Sequence, residues 1–84
     1  MRRYDLSRHA KDVISARQIR LDWLEQVLDS PDLVEADRDD PELVHHIGRI
    51  KEHGNRPLRV VFNKSMGSVR IVTVYSDLKM KGRL

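Results

Sequence analysis

Eighty-four residues carrying a net charge of +3 are enough for one domain with one thin core and too few for two. The chain has no cysteine, which excludes a disulfide framework and a thiolate metal site. No apolar run approaches the roughly 20 residues of a membrane span, and Met1-Arg2-Arg3-Tyr4-Asp5 has no apolar segment behind its basic residues, unlike a signal peptide. The expectation is a cytoplasmic protein with no membrane partner.

The spacing predicts a first helix over Leu6 to Ala16, where Leu6, Ala10, Val13 and Ile14 form one apolar stripe and Asp5 or Ser7 can cap the start. A second helix is predicted over Ile19 to Leu28. Leu21, Leu24 and Leu28 make one row and Ile19, Trp23 and Val27 another, so Trp23 reads as core, and Ser30-Pro31 stops the helix. The period then becomes extended. Leu33 to Ala36 is a short strand followed by the turn Asp39-Asp40-Pro41, and Leu43 to Lys51 is a second strand in which Gly48 marks a weak point or a bulge. After the turn Gly54-Asn55-Arg56-Pro57 come two β-branched strands, Leu58 to Asn63 and Val69 to Tyr75, and then a polar basic tail over 78–84 that reads as frayed. The order α-α-β-β-β-β implies an α+β domain: two N-terminal helices packed on a four-stranded antiparallel sheet.

Charge is divided along this order. Residues 1–42 have a balance of −4 and residues 43–84 one of +7, the only acids in the second half being Glu52 and Asp77. A basic sheet of this kind suits a nucleic-acid backbone, and it also suits an ordinary solvated surface. Arg49, Arg59, Lys64 and Arg70, on or beside successive strands, are the candidates for RNA contact.

The four histidines, His9, His45, His46 and His53, show no i, i+4 zinc spacing, and no Gly-rich phosphate loop or serine nucleophile motif is present. No cofactor is expected. What the chain does carry is His, Arg, Lys, Thr and Tyr. Cleavage of RNA by its own 2′-hydroxyl needs only a base, an acid and positive charge, which histidine, tyrosine and arginine supply. Each also has an ordinary reading: His9 flanks the apolar stripe, Arg17 at a helix end complements the dipole, and Thr73 is a good strand residue anywhere. His45 and His46 are adjacent in a strand and must point to opposite faces.

Ser7-Arg8-His9-Ala10, then Arg17-Gln18-Ile19, Val27-Leu28 and Pro31-Asp32, followed by Leu58-Arg59-Val60-Val61-Phe62 and Ile71-Val72-Thr73-Val74-Tyr75, resemble a bacterial family of unknown function. Its members share the pattern S-K/R-H-A, R-x-I, V-L-x-x-P-D at their start, and the family is grouped with the RelE/ParE-like toxins, including BrnT. The resemblance runs from Ser7 to Tyr75. It implies a RelE-like toxin that cleaves mRNA, free or ribosome-bound, without metal and is neutralised by a cognate antitoxin protein. It places the site at His9, Arg17, Arg59, Thr73 and Tyr75. A ParE-like protein inhibitor and a non-catalytic RNA-binding domain are the other readings. If the turn of the last hairpin is Met66-Gly67-Ser68, Arg59 faces Tyr75, Val61 faces Thr73, and Leu58, Val60 and Phe62 share the core face with Val72 and Val74.

Overall fold

In the computed structural model, which describes residues 4–64 and 68–84, the chain opens on a strand and not on a helix. Tyr4–Leu6 (β1) precedes the helices Arg8–Ala16 (α1) and Leu21–Asp29 (α2), and four strands follow: Leu33–Ala36 (β2), Leu43–Ile50 (β3), Arg56–Asn63 (β4) and Val69–Ser76 (β5). All five strands form one sheet in the order β1-β5-β4-β3-β2. β2 to β5 pair antiparallel as expected, but β1 runs parallel to β5, with Tyr4 opposite Val69 and Leu6 opposite Ile71. The domain is therefore α+β with a five-stranded mixed sheet, which corrects the four-stranded antiparallel sheet expected from pattern and resemblance. The cause is local: three residues are too few to show an alternation, and Leu6 fits the helical stripe with Ala10 equally well. Pairing with a strand far along the chain decides between the two.

The ends of α1 are firmly determined. Ser7 caps it, its hydroxyl accepting from the Ala10 amide at 3.0 Å. At the other end Gln18 adopts a left-handed φ of 53°, the Gln18 amide donates to Ser15 O, and the Ile19 amide donates to Ile14 O. This is a Schellman ending. It turns the buried Ile19 into the core and delays α2 to Leu21, two residues later than the apolar rows imply.

The helices cover one face of the sheet. Leu24, Val27 and Trp23 of α2 and Ala10 of α1 bury Ile50, Leu58, Val60, Phe62, Ile71 and Val74. Trp23 also stacks on His53, ring centroids 4.7 Å apart. Gly48 lies in regular pairing with Leu58, so it marks no bulge. It is glycine because a Cβ there would stand 3.2 Å from Val27 Cγ2, where α2 presses on β3.

The bulge lies instead in β5. Leu58, Arg59, Val60 and Val61 face Ser76, Tyr75, Val74 and Thr73, but Phe62 faces Ile71 and Asn63 faces Arg70. Val72 is the extra residue, so Ile71 and not Val72 joins Val74 in the core. The turn residues Met66 and Gly67 lie outside the described residues. Beyond β5 the expected frayed tail begins with a 3-10 turn, Leu78–Met80, that packs against β4 and leaves Met80 only 3 % exposed. Among the described residues no helix is long and apolar enough to cross a membrane.

Candidate functional site

Strand alternation sends Arg59 and Val61 of β4, and Thr73 and Tyr75 of β5, to the face of the sheet away from the helices. Thr73 and Tyr75 are two residues apart, hence about 7 Å along the strand. At the edge of this face stands His9, in the first turn of α1, with its Nε2 3.1 Å from Thr73 Oγ1. The joint that puts it there is Ser7. Its amide donates to Ile71 O at 3.0 Å and its hydroxyl donates to Val72 O at 3.0 Å, so the start of α1 is fastened to β5 at the bulge. His9 is exposed, and Tyr75 is 37 % exposed, so both groups are open to a ligand.

Arg59 is placed differently. It is only 9 % exposed and its guanidinium is enclosed by acceptors. Nε donates to Asp77 Oδ2 at 2.8 Å, and Nη1 donates to Glu35 Oε1 at 3.1 Å and to His45 Nδ1 at 2.7 Å. An arginine has no lone pair to offer, so His45 Nδ1 must be the acceptor, and the ring proton sits on Nε2. From there it donates to Asp37 Oδ1 at 2.7 Å. Burial works against the Arg59 charge, but the hydrogen bonds to Asp77 and Glu35 outweigh it and hold the guanidinium above its ordinary pKa. The Asp37 carboxyl is held below its ordinary value by the His45 N–H first, and then by the amides of Asp40 and Asp39. Asp37, Asp77 and Glu35 thus surround Arg59 and His45 in one polar chain across β2, β3, β4 and the segment after β5. This network was not visible from residue types, because its bonded pairs are up to 24 positions apart.

The other expected residues are dispersed. Arg17 is the C-cap of α1, eight residues from His9 and hence about 12 Å farther along the helix axis. Arg70 shares the open face with Thr73 but lies toward the hairpin end, where Lys64 follows β4. Arg49 pairs with Pro57 at the opposite end of the sheet. The basic side chains therefore do not form one continuous stripe, and the central one, Arg59, is matched by acids. His46 points to the helices, its Nδ1 donating to Leu28 O at 3.1 Å, and its ring meets the edge of Phe62. With His45 and His53 also engaged inside the fold, His9 is the histidine whose ring stands at the open surface.

The site falls within a recognisable family. A family model described as "Domain of unknown function (DUF4258)" matches residues 6–76. The chain belongs to that family. The match takes in α1, α2 and the strands from β2 through β5, with His9, Arg59, Thr73 and Tyr75 all inside it, and so bears out the resemblance read from Ser7 to Tyr75 at the level of a family of unknown function. No curated protein and no solved structure matches the chain.

Proposed function

We propose that this protein is a toxin-type endoribonuclease of the RelE/ParE-like superfamily that cleaves mRNA without a metal ion, with His9, Thr73 and Tyr75 at its centre. The observation that carries the reading is the 3.1 Å approach of His9 Nε2 to Thr73 Oγ1, two groups 64 residues apart on an exposed face beside a tyrosine. In the proposed reaction the 2′-hydroxyl of RNA is the nucleophile. His9 Nε2 takes its proton, the O2′–P bond forms, the P–O5′ bond breaks, and the Tyr75 phenol gives a proton to the departing 5′ oxygen. The products are a 2′,3′-cyclic phosphate and a 5′-hydroxyl. Thr73 holds the imidazole until substrate arrives and then donates to a phosphate oxygen. Arg59, saturated by its acceptors, acts as a positioning residue beneath Tyr75, its partner in the strand register. Arg17, distant along α1, takes no direct part in this scheme. In a toxin of this kind a cognate antitoxin covers the open face in the cytoplasm.

The neutralised state of Arg59 favours one second reading, an RNA-binding domain that does not cleave. Purified protein incubated with ribosome-bound and free mRNA separates the two. The expected result is chelator-insensitive cleavage leaving 2′,3′-cyclic phosphate ends, with His9→Ala and Tyr75→Phe each slower by ~10²–10⁴-fold while still folded. Retention of RNA without scission would establish the second reading, and undiminished cleavage by both variants would move the site.

A further inference from the structure

Between β1, the first turn of α1 and the start of β5 lies an open cleft of about 630 Å³. Arg8 and Lys11 of α1 and Arg70 of β5 line it, against a single carboxylate, Asp5. Asp5 is the register partner of Arg70 in the parallel β1–β5 pair. Even so, among the described residues none of these four side chains makes an ion pair or a hydrogen bond. The contrast with Arg59, which lies between two carboxylates and a histidine, is direct. We propose that this cleft binds the backbone phosphates of a single RNA strand next to the bond that is cut, an inference that rests on the ribonuclease reading.

Four observations support it. The cleft has an excess of two positive charges, and its cations make no ion pair or hydrogen bond among the described residues, which is the condition for taking up an external polyanion. Two of its three cations are arginines, whose planar forks match phosphate oxygens in pairs.

The placement of charge on α1 works against the helix itself. No acid stands in its first turn; Arg8, His9 and Lys11 are there instead, at the positive end of the helix dipole. A helix selected for stability alone would carry Asp or Glu at those positions. The repulsion is tolerated where an anion relieves it.

The cleft also adjoins the proposed catalytic groups on both of its walls. Arg8 immediately precedes His9, and Arg70 lies three residues before Thr73 on the same face of β5, about 10 Å along the strand. A strand of RNA with its scissile phosphate between His9 and Tyr75 would pass its neighbouring phosphates over Arg8, Lys11 and Arg70. A second concavity, near Arg49 and Lys51, includes Asp32 and Glu52 and has no such excess.

The test uses the full chain and a fluorescent, fully 2′-O-methylated RNA oligonucleotide, which binds but offers no 2′-hydroxyl nucleophile. Affinity is measured across a salt series for the wild type, for Arg8→Gln/Lys11→Gln/Arg70→Gln, and for the charge-matched control Lys51→Gln/Arg56→Gln/Lys81→Gln. Each phosphate contact to a single strand contributes about 0.7 to the slope of log affinity against log salt. The cleft variant should therefore lose about 2 from that slope and at least tenfold in affinity at low salt. Its melting temperature should stay at or above that of wild type, since cations opposing the dipole have been removed. Equal losses in both triple variants, or none in the cleft variant, would overturn the cleft while leaving ribonuclease activity to stand on its own assay. Failure of the wild type to bind the oligonucleotide at all would overturn the cleft, while the ribonuclease reading would be decided by cleavage of ribosome-bound mRNA. Binding that depends on the cleft in a protein that never cleaves would keep the cleft and remove only the catalysis.

Discussion

Arg59 donates to Asp77, Glu35 and His45 from a position with almost no solvent contact, so its first role is to neutralise acids that the sheet brings together. Removing it strands the Asp77 carboxylate, whose side chain is only 12 % exposed, and leaves Glu35 and His45 short of a donor. Breaking a buried pair from one side costs about 3–5 kcal/mol, and the partial exposure of Glu35 reduces that, so Arg59→Met should destabilise the domain by about 2–4 kcal/mol in urea unfolding. Arg59→Lys should recover little, because one ammonium cannot reproduce the fork that reaches Asp77 and Glu35 at once. The same network sets a pH dependence. The Asp37 pKa is lowered in the folded state, chiefly by the His45 N–H, so the stability this residue contributes is fully present above its ordinary value of 3.8 and is lost as pH falls through the lower folded value. Unfolding curves of Asp37→Asn should lie below wild type at pH 5 to 7 and approach it at pH values under 3.8. A constant gap through that window would show that Asp37 does not hold its proton-free state through His45.

Single elements carried more of their identity in the sequence than did their junctions. The alternation of Leu58, Val60 and Phe62 against Arg59 and Val61 favoured the register with Arg59 opposite Tyr75 and Val61 opposite Thr73; the sheet has these two pairs, but from Phe62 to the turn the register is shifted by one. It could not locate the bulge, because Ile71 and Val72 are both β-branched and either satisfies the core side of the pattern. Nor could it reveal the closeness of His9 to Thr73, which depends on Ser7 being fastened to the bulged stretch of β5. Ser7 is thus a positioning residue as well as a cap. Ser7→Ala removes the acceptor of the Ala10 amide and the donor to Val72 O, and should cost about 1–2 kcal/mol of stability. Under the ribonuclease reading it should also slow cleavage without altering any reacting group, and Ser7→Thr, which keeps the hydroxyl, should restore both. Full activity in Ser7→Ala would mean that His9 reaches its place without this joint.

At the scale of the whole molecule, the three-residue strand β1 fixes the edge on which the proposed site depends. It covers the first part of β5, brings Asp5 beside Arg70, buries Tyr4 to 8 % exposure and lets the Tyr4 hydroxyl donate to Glu25 of α2 at 2.8 Å. The far edge, β2, is short and exposes Val34. Burying a large aromatic or aliphatic side chain contributes about 1.5–3 kcal/mol. Loss of Tyr4 and the half-buried Leu6 therefore removes about 3–5 kcal/mol before the strand pairing is counted. A domain of 84 residues has a total stability of about 4–12 kcal/mol. Deletion of residues 1–6 should accordingly leave a marginally stable chain with a broadened, lowered thermal transition by circular dichroism. The same deletion bares the hydrogen-bonding edge of β5, an invitation to strand-to-strand association, so size exclusion should show more concentration-dependent association than for the intact chain at equal concentration. A truncated protein that melts as the full chain does would mean that β1 is an accessory to the sheet, and that the fold is set by α1, α2 and the four antiparallel strands alone.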